Sequence, residues 1–162
     1  MTTANSDQPQ GESFFDSRAA ILSAIPHRPP FLFVDRILSW TDEEIVTQYK
    51  FKANEYFFEG HYPNSPIVPG VILCESAMQA GAIFLTRLYD DKTRKSGKIP
   101  VVGRMNDVKF RRVIRPCETI EHRVTLKEKI AGVYILSAKV TCEGKVAVTF
   151  DFSVTMADRP ED

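Results

Sequence analysis

The sequence predicts an α+β domain in which one long helix packs against a mostly antiparallel sheet. Three observations carry this expectation. From residue 71 to residue 88 twelve of the eighteen positions are apolar, and Val71, Leu73, Cys74, Ala77, Ile83 and Leu88 fall all round a helix rather than along one stripe. That is the pattern of a helix enclosed by other elements. The last third of the chain alternates apolar and polar residues with the period of two that half-buried strands require. Few stretches remain that could serve as crossover helices, so the strands must pair mainly antiparallel.

Residues 1–13 are polar and lack an apolar period, and are expected to form a loose tail ahead of a single domain spanning 14–158. Phe14 to Ile25 has helical spacing and must stop at Pro26. The cluster Pro26-His27-Arg28-Pro29-Pro30 reads as an ordered turn or extended piece, followed by a short strand from Phe31 to Leu38. Between Glu44 and Lys52, Ile45, Thr47, Tyr49 and Phe51 alternate with Val46, Gln48, Lys50 and Lys52, as a strand with one wet face should. Prolines and glycines from Phe57 to Pro69 disfavour regular structure. The long helix then runs from Gly70 to about Leu88, too short and too interrupted for a membrane span. Asp90 to Lys98 reads as a charged, solvated connection without a function. Further on, Ile120, His122, Val124 and Leu126 share one strand face, and Tyr134, Leu136, Ala138, Val140 and Cys142 share another. Every second residue from Val146 to Met156 makes a third series, and Glu143-Gly144 marks the hairpin before it.

The 162 residues, 43% of them apolar, suffice for one core and not comfortably for two. Lysine plus arginine equals aspartate plus glutamate at 21 each, so no net field exists to hold nucleic acid or an anionic membrane. Cys74, Cys117 and Cys142 are odd in number and lack CxxC spacing, which argues against a disulfide framework and a zinc site. The start carries neither a basic n-region nor an apolar h-region. A reducing, cytoplasmic setting is the expectation.

Within the buried helix, Glu75 is a lone carboxylate and Gln79, four residues on, shares its face. An ionised carboxylate there costs several kcal/mol unless it is paired or changes protonation, roughly as for any buried charge. Taken alone, Glu75 fits either a structural ion pair or core hydrogen bond, or an acid-base site. His61, fourteen residues earlier in the proline-rich loop, supplies the matching base. Gly70, at the start of the helix, offers backbone N–H groups and the helix dipole to a developing oxyanion, and equally serves a tight turn after Pro69. Gln79 either orients Glu75 or makes a plain buried hydrogen bond. His122, on an apolar strand face, reads as a satisfied core residue, and His27 as a packing or capping residue of its turn. No three-residue ligand set has sensible spacing, so no metal is expected. Cys74 points about 100° away from Glu75 round the helix, and no nucleophile stands beside His61 to support covalent catalysis.

These blocks together resemble the beta-hydroxyacyl-acyl carrier protein dehydratases of the hot-dog fold. Ile25-Pro26-His27-Arg28-Pro29-Pro30-Phe31-Leu32-Phe33-Val34-Asp35-Arg36 is similar to the family's opening block. Phe58-Glu59-Gly60-His61-Tyr62-Pro63 and Pro69-Gly70-Val71-Ile72-Leu73-Cys74-Glu75-Ser76-Ala77-Met78-Gln79 resemble its active-site blocks, and Val108-Lys109-Phe110-Arg111-Arg112 a later strand. In order and spacing the resemblance covers roughly residues 20 to 156. It implies a curved antiparallel sheet wrapped round the long helix, and dimers with continuous sheets that assemble further as a trimer of dimers. His61 of one subunit would face Glu75 of the other across an acyl-chain tunnel. A glutamate at position 75 resembles the dehydratase-only branch rather than the branch that also isomerises the double bond, which carries aspartate there. Asn64, Val68 and Cys117 depart from the family's usual residues, and bear on tunnel shape rather than on proton chemistry.

The activity implied is dehydration of a (3R)-hydroxyacyl-acyl carrier protein to the trans-2-enoyl form in fatty acid biosynthesis. It needs a base for the C2 proton, for which neutral imidazole is suited, and an acid for the departing C3 hydroxyl. No cofactor is implied, the substrate being carried on the phosphopantetheine of acyl carrier protein. Lys109, Arg111 and Arg112 form a small basic group that suits an acidic carrier helix, or simply a solvated strand edge. Two other readings stay open: a hydratase or thioesterase on coenzyme A thioesters, since the fold hosts both, and a non-catalytic acyl-binding subunit.

Overall fold

The computed structural model describes residues 17–158. The expected tail, and Phe14 to Asp16 of the expected first helix, lie outside the described residues. The helix appears as α1, Ser17–Ala24, and gives way before Pro26. The strands are β1 (Arg36–Trp40), β2 (Glu44–Lys50), β3 (Ile99–Phe110), β4 (Thr119–Ile130), β5 (Val133–Cys142) and β6 (Lys145–Ala157). They form one six-stranded sheet in the order β1-β2-β4-β5-β6-β3, antiparallel at every pairing. The long helix α2, Gly70–Leu88, packs chiefly on β4, β5 and β2. This is the hot-dog arrangement, a helix held in a sheet.

The alternating series place their apolar members inward. Ile45, Thr47, Tyr49 and Phe51 are all buried, as are Leu136, Ala138, Val140, Phe150, Phe152 and Val154. Helix and sheet touch most closely at Gly81, where a Cβ would lie 2.6 Å from Phe152 Cζ, so only glycine lets the helix settle there. At the β5–β6 hairpin both Glu143 and Gly144 have positive φ, 51° and 74°, as a type I′ turn requires.

Three segments differ from the expectation. Residues 31–35 are not a strand. Leu32, Phe33 and Val34 are buried in succession, which an alternating strand on one wet face does not allow, and Phe33 N–H donates to the side chain of Gln79 instead of to a neighbouring strand. The strand proper begins at Arg36. Between Asp90 and Lys98 lies a short helix, α3 (Asp91–Lys95), capped by the Asp90 carboxylate accepting from Thr93 N–H at 2.7 Å. The twelve residues of β3 form a sheet edge with no fully buried side chain, a register shift on either side of Arg104 to Asn106, and Asp107 at φ 52°.

By length and mean hydropathy alone, 19 residues and 1.3, α2 is apolar enough to cross a membrane, contrary to the reading of it as too short. Its apolarity has another cause here, because 61% of the window is buried within the protein.

A buried polar chain fixes α2 against the sheet. His122 on β4 is fully buried; its Nδ1 lies 2.8 Å from Thr47 Oγ1 on β2, and its Nε2 2.9 Å from Ser76 Oγ on α2. Ser76 Oγ donates to Leu73 O at 2.8 Å, so it accepts from Nε2–H and Nδ1 accepts from Thr47. Every member is satisfied with the imidazole neutral, and burial pushes its pKa down to about 3. His122 is thus the satisfied core histidine that its strand face suggests.

Candidate active site

The site begins in the loop before α2. A 3₁₀ turn, Tyr56–Glu59, leads into residues 60–69, where His61 N–H donates to Phe57 O at 3.0 Å and Ser65 N–H to Tyr62 O at 2.8 Å. Tyr62 takes the left-handed conformation, φ 53°, and its ring meets that of His61 edge-on at 4.8 Å. His61 is half-buried. Val68 N–H then donates to Ile114 O at 2.8 Å, tying the loop's end to the strand β3–β4 connection, and Pro69 caps α2.

At that cap Ile72 N–H and Leu73 N–H turn back to Pro69 O. Gly70 N–H donates to no partner among the described residues, as an oxyanion donor must be free to do. The ring of Phe110, at the end of β3, covers the Gly70 Cα.

Glu75 stands one turn further on, its side chain 23% exposed on an otherwise buried helix. Gln79, 1% exposed, accepts Phe33 N–H on Oε1 at 2.8 Å. That bond turns the amide nitrogen toward Phe31 O at 3.2 Å and Glu75 Oε1 at 3.0 Å. Gln79 therefore donates to Glu75 and stitches the 31–33 segment to α2.

The structure also brings His27 to Glu75, with Nε2 3.6 Å from Oε1. Sequence reasoning assigned His27 to packing or capping, and nothing in the spacing of residues 27 and 75 could have joined them. His61 and Glu75, by contrast, make no ion pair or hydrogen bond with one another within the chain, among the described residues. An arrangement in which the two come from different subunits requires none.

The basic group divides. Lys109 and Arg111 are exposed, whereas the Arg112 guanidinium is committed to Glu118 Oε1 and Glu143 Oε2, both at 3.0 Å, and to Cys142 O. Burial pushes the Cys74 thiol up to about 11, which disfavours the thiolate a nucleophile needs. Among the described residues no three or more His, Cys, Asp and Glu side chains cluster as a metal site would.

A long helix held in a six-stranded antiparallel sheet, carrying a carboxyl hydrogen-bonded to a buried glutamine, defines a protein of the hot-dog fold class. The FabA-like domain family matches residues 25–151, and the chain belongs to that family. It is 39% identical over 132 residues to a 3-hydroxyacyl-[acyl-carrier-protein] dehydratase FabZ of Oenococcus oeni, covering 81% of this chain and 92% of that one. A protein of the same name from Geobacter metallireducens is 36% identical, over 91% and 97% of the two chains. Among solved structures, the dehydratase heterocomplex ApeI:P of Xenorhabdus doucetiae superposes with TM-score 0.71 at 12% identity, covering 86% of this chain and 91% of that one, a likeness of fold alone.

Proposed function

We propose that this protein removes water from a (3R)-hydroxyacyl chain carried on acyl carrier protein, giving the trans-2-enoyl thioester of fatty acid biosynthesis. The observation that carries the reading is Glu75: a mostly buried carboxyl on a buried helix, turned by a buried Gln79 that is itself fixed by Phe33. The naming of the curated relatives as dehydratases supports it.

In the reaction His61 takes the C2 proton, Glu75 gives its proton to the C3 hydroxyl, the C3–O bond breaks, and the C2–C3 double bond and one water form. Gly70 N–H stabilises the charge that develops on the thioester oxygen. His61 and Glu75 meet across a homodimer. β3 supports that assembly: it is a long sheet edge carrying Val102, Met105 and Phe110 exposed, the kind of edge that pairs with a second copy. Lys109 and Arg111 suit an acidic carrier, with Arg112 holding its own strand ends in place. No cofactor or metal takes part, and the setting is the cytoplasm.

Mass spectrometry of a 3-hydroxyacyl-acyl carrier protein incubated with the protein tests the reading. Loss of one water, absent with His61→Ala, is expected. Release of free acid would point to a thioesterase, and an unchanged acyl chain on a bound carrier to an acyl-binding subunit.

A further inference from the structure

Glu75 has two oxygens, and the chain treats them differently. Gln79 Nε2 donates to Oε1 at 3.0 Å, and His27 Nε2 approaches the same oxygen at 3.6 Å. Oε2 takes no part in either contact. A carboxylic acid whose Oε1 receives N–H donors carries its own proton on Oε2. That is the oxygen left to face a substrate.

The His27 ring is held for this contact. Arg28, the neighbouring charge, is turned away, its guanidinium donating to the carbonyls of Leu22, Ile25 and His27 at 2.7–2.8 Å, which pins the turn. The imidazole stacks on Phe31 at 6.4 Å and 23°, and Phe31 O accepts from Gln79. His27, Phe31 and Gln79 are therefore one packed unit round Oε1. Nδ1 of His27 is buried without a hydrogen-bond partner. Plain packing favours an apolar ring in such a place, because an unpaired buried polar atom is costly. What the histidine adds is Nε2 toward Glu75.

We propose that His27 is a positioning residue of the acid half of the site: its Nε2–H, together with Gln79, holds Oε1 of Glu75 and reserves Oε2 for the 3-hydroxyl of the substrate. The 3.6 Å separation closes to a hydrogen bond when substrate fills the site, as catalytic contacts that are long in the free enzyme commonly do. Each protomer then supplies a preassembled acid unit, His27, Glu75 and Gln79. The proposal rests on the dehydratase reading above.

The test compares His27→Phe, which keeps a ring on Phe31 and removes Nε2, with His27→Gln, whose amide nitrogen can stand where Nε2 does. His27→Phe is expected to lower kcat on the order of tenfold at unchanged KM and unchanged melting temperature, since misplacing a catalytic group slows chemistry rather than binding. His27→Gln is expected to recover most of the loss. Wild-type kcat in His27→Phe, or a His27→Gln as slow as His27→Phe, would overturn the proposal. A second readout needs no turnover: long-range ¹H–¹⁵N spectra of the histidine rings should show His27 as the Nε2–H tautomer, with that signal changed by Glu75→Ala. An unchanged signal would overturn the contact even if the protein proved not to be a dehydratase, whereas a failed dehydratase assay with a changed signal would overturn only the functional reading.

Discussion

The ring of Phe110 lies so close to Gly70 that a Cβ added there would sit 2.8 Å from Phe110 Cε1. The first turn of α2 and the last residue of β3 are thereby packed without a spacer, and the free N–H of Gly70 is held in one place. Gly70→Ala must push either the ring or the helix mouth by some tenths of an ångström. Overpacking of this kind should cost the fold about 1–3 kcal/mol. Turnover should fall further than stability, roughly ten- to a hundredfold in kcat, because removing or misplacing an oxyanion donor costs about that or more. Steady-state kinetics of Gly70→Ala, with Phe110→Leu added to make room, checks this. Recovery in the double variant is expected.

His122 makes stability depend on pH. Its folded pKa is down at about 3 against an ordinary 6.5, so between these values the unfolded chain binds a proton that the folded chain does not. The His122 contribution is therefore complete above pH 6.5 and declines as pH falls from 6.5 toward 3. The slope it adds is about 1.4 kcal/mol per pH unit for one proton. Urea unfolding at several pH values in this range should show that slope in the wild type and lose it in His122→Gln. Thr47 and Ser76 carry no such titration, so a slope that persists in the variant would place its source elsewhere.

The β3 edge gives a separate prediction. Val102, 43% exposed, and Met105, 37% exposed, should lie in the interface between two copies. The double variant Val102→Lys, Met105→Lys should remain folded, since neither side chain belongs to the core, yet behave as a monomer by light scattering and lose turnover. An active monomer would show that His61 and Glu75 do not need a partner subunit.

The elements with a wet and a dry face were legible from their residues. Ile45 to Phe51 and the series from Tyr134 to Met156 alternate because one side of each strand is buried in the core and most of the other side is only half-buried, Val46 and Ala147 being buried exceptions. β3 was legible only as a resemblance around Val108 to Arg112, because a strand at an exposed edge, interrupted by bulges, has no dry face to impose a period. Residues 31–35 misled for the opposite reason: three consecutive buried side chains and a backbone bond to Gln79 replace the expected alternation. At the site, Glu75 stood out as a charge on an apolar helix. His27 did not, because its proximity to Glu75 is made by the path of the 26–33 segment over α2 rather than by spacing along the chain.

The central claim, a dehydratase site shared by His61 of one subunit and Glu75 of another, is tested most directly by mixing two inactive variants. In a dimer of His61→Ala with Glu75→Gln, one site holds both substitutions and the other holds neither. Random reassortment makes half the dimers mixed, so dehydration should return to about a quarter of wild type although each variant alone is silent. Silence after subunit exchange has been verified, or full activity in either variant alone, would contradict the account.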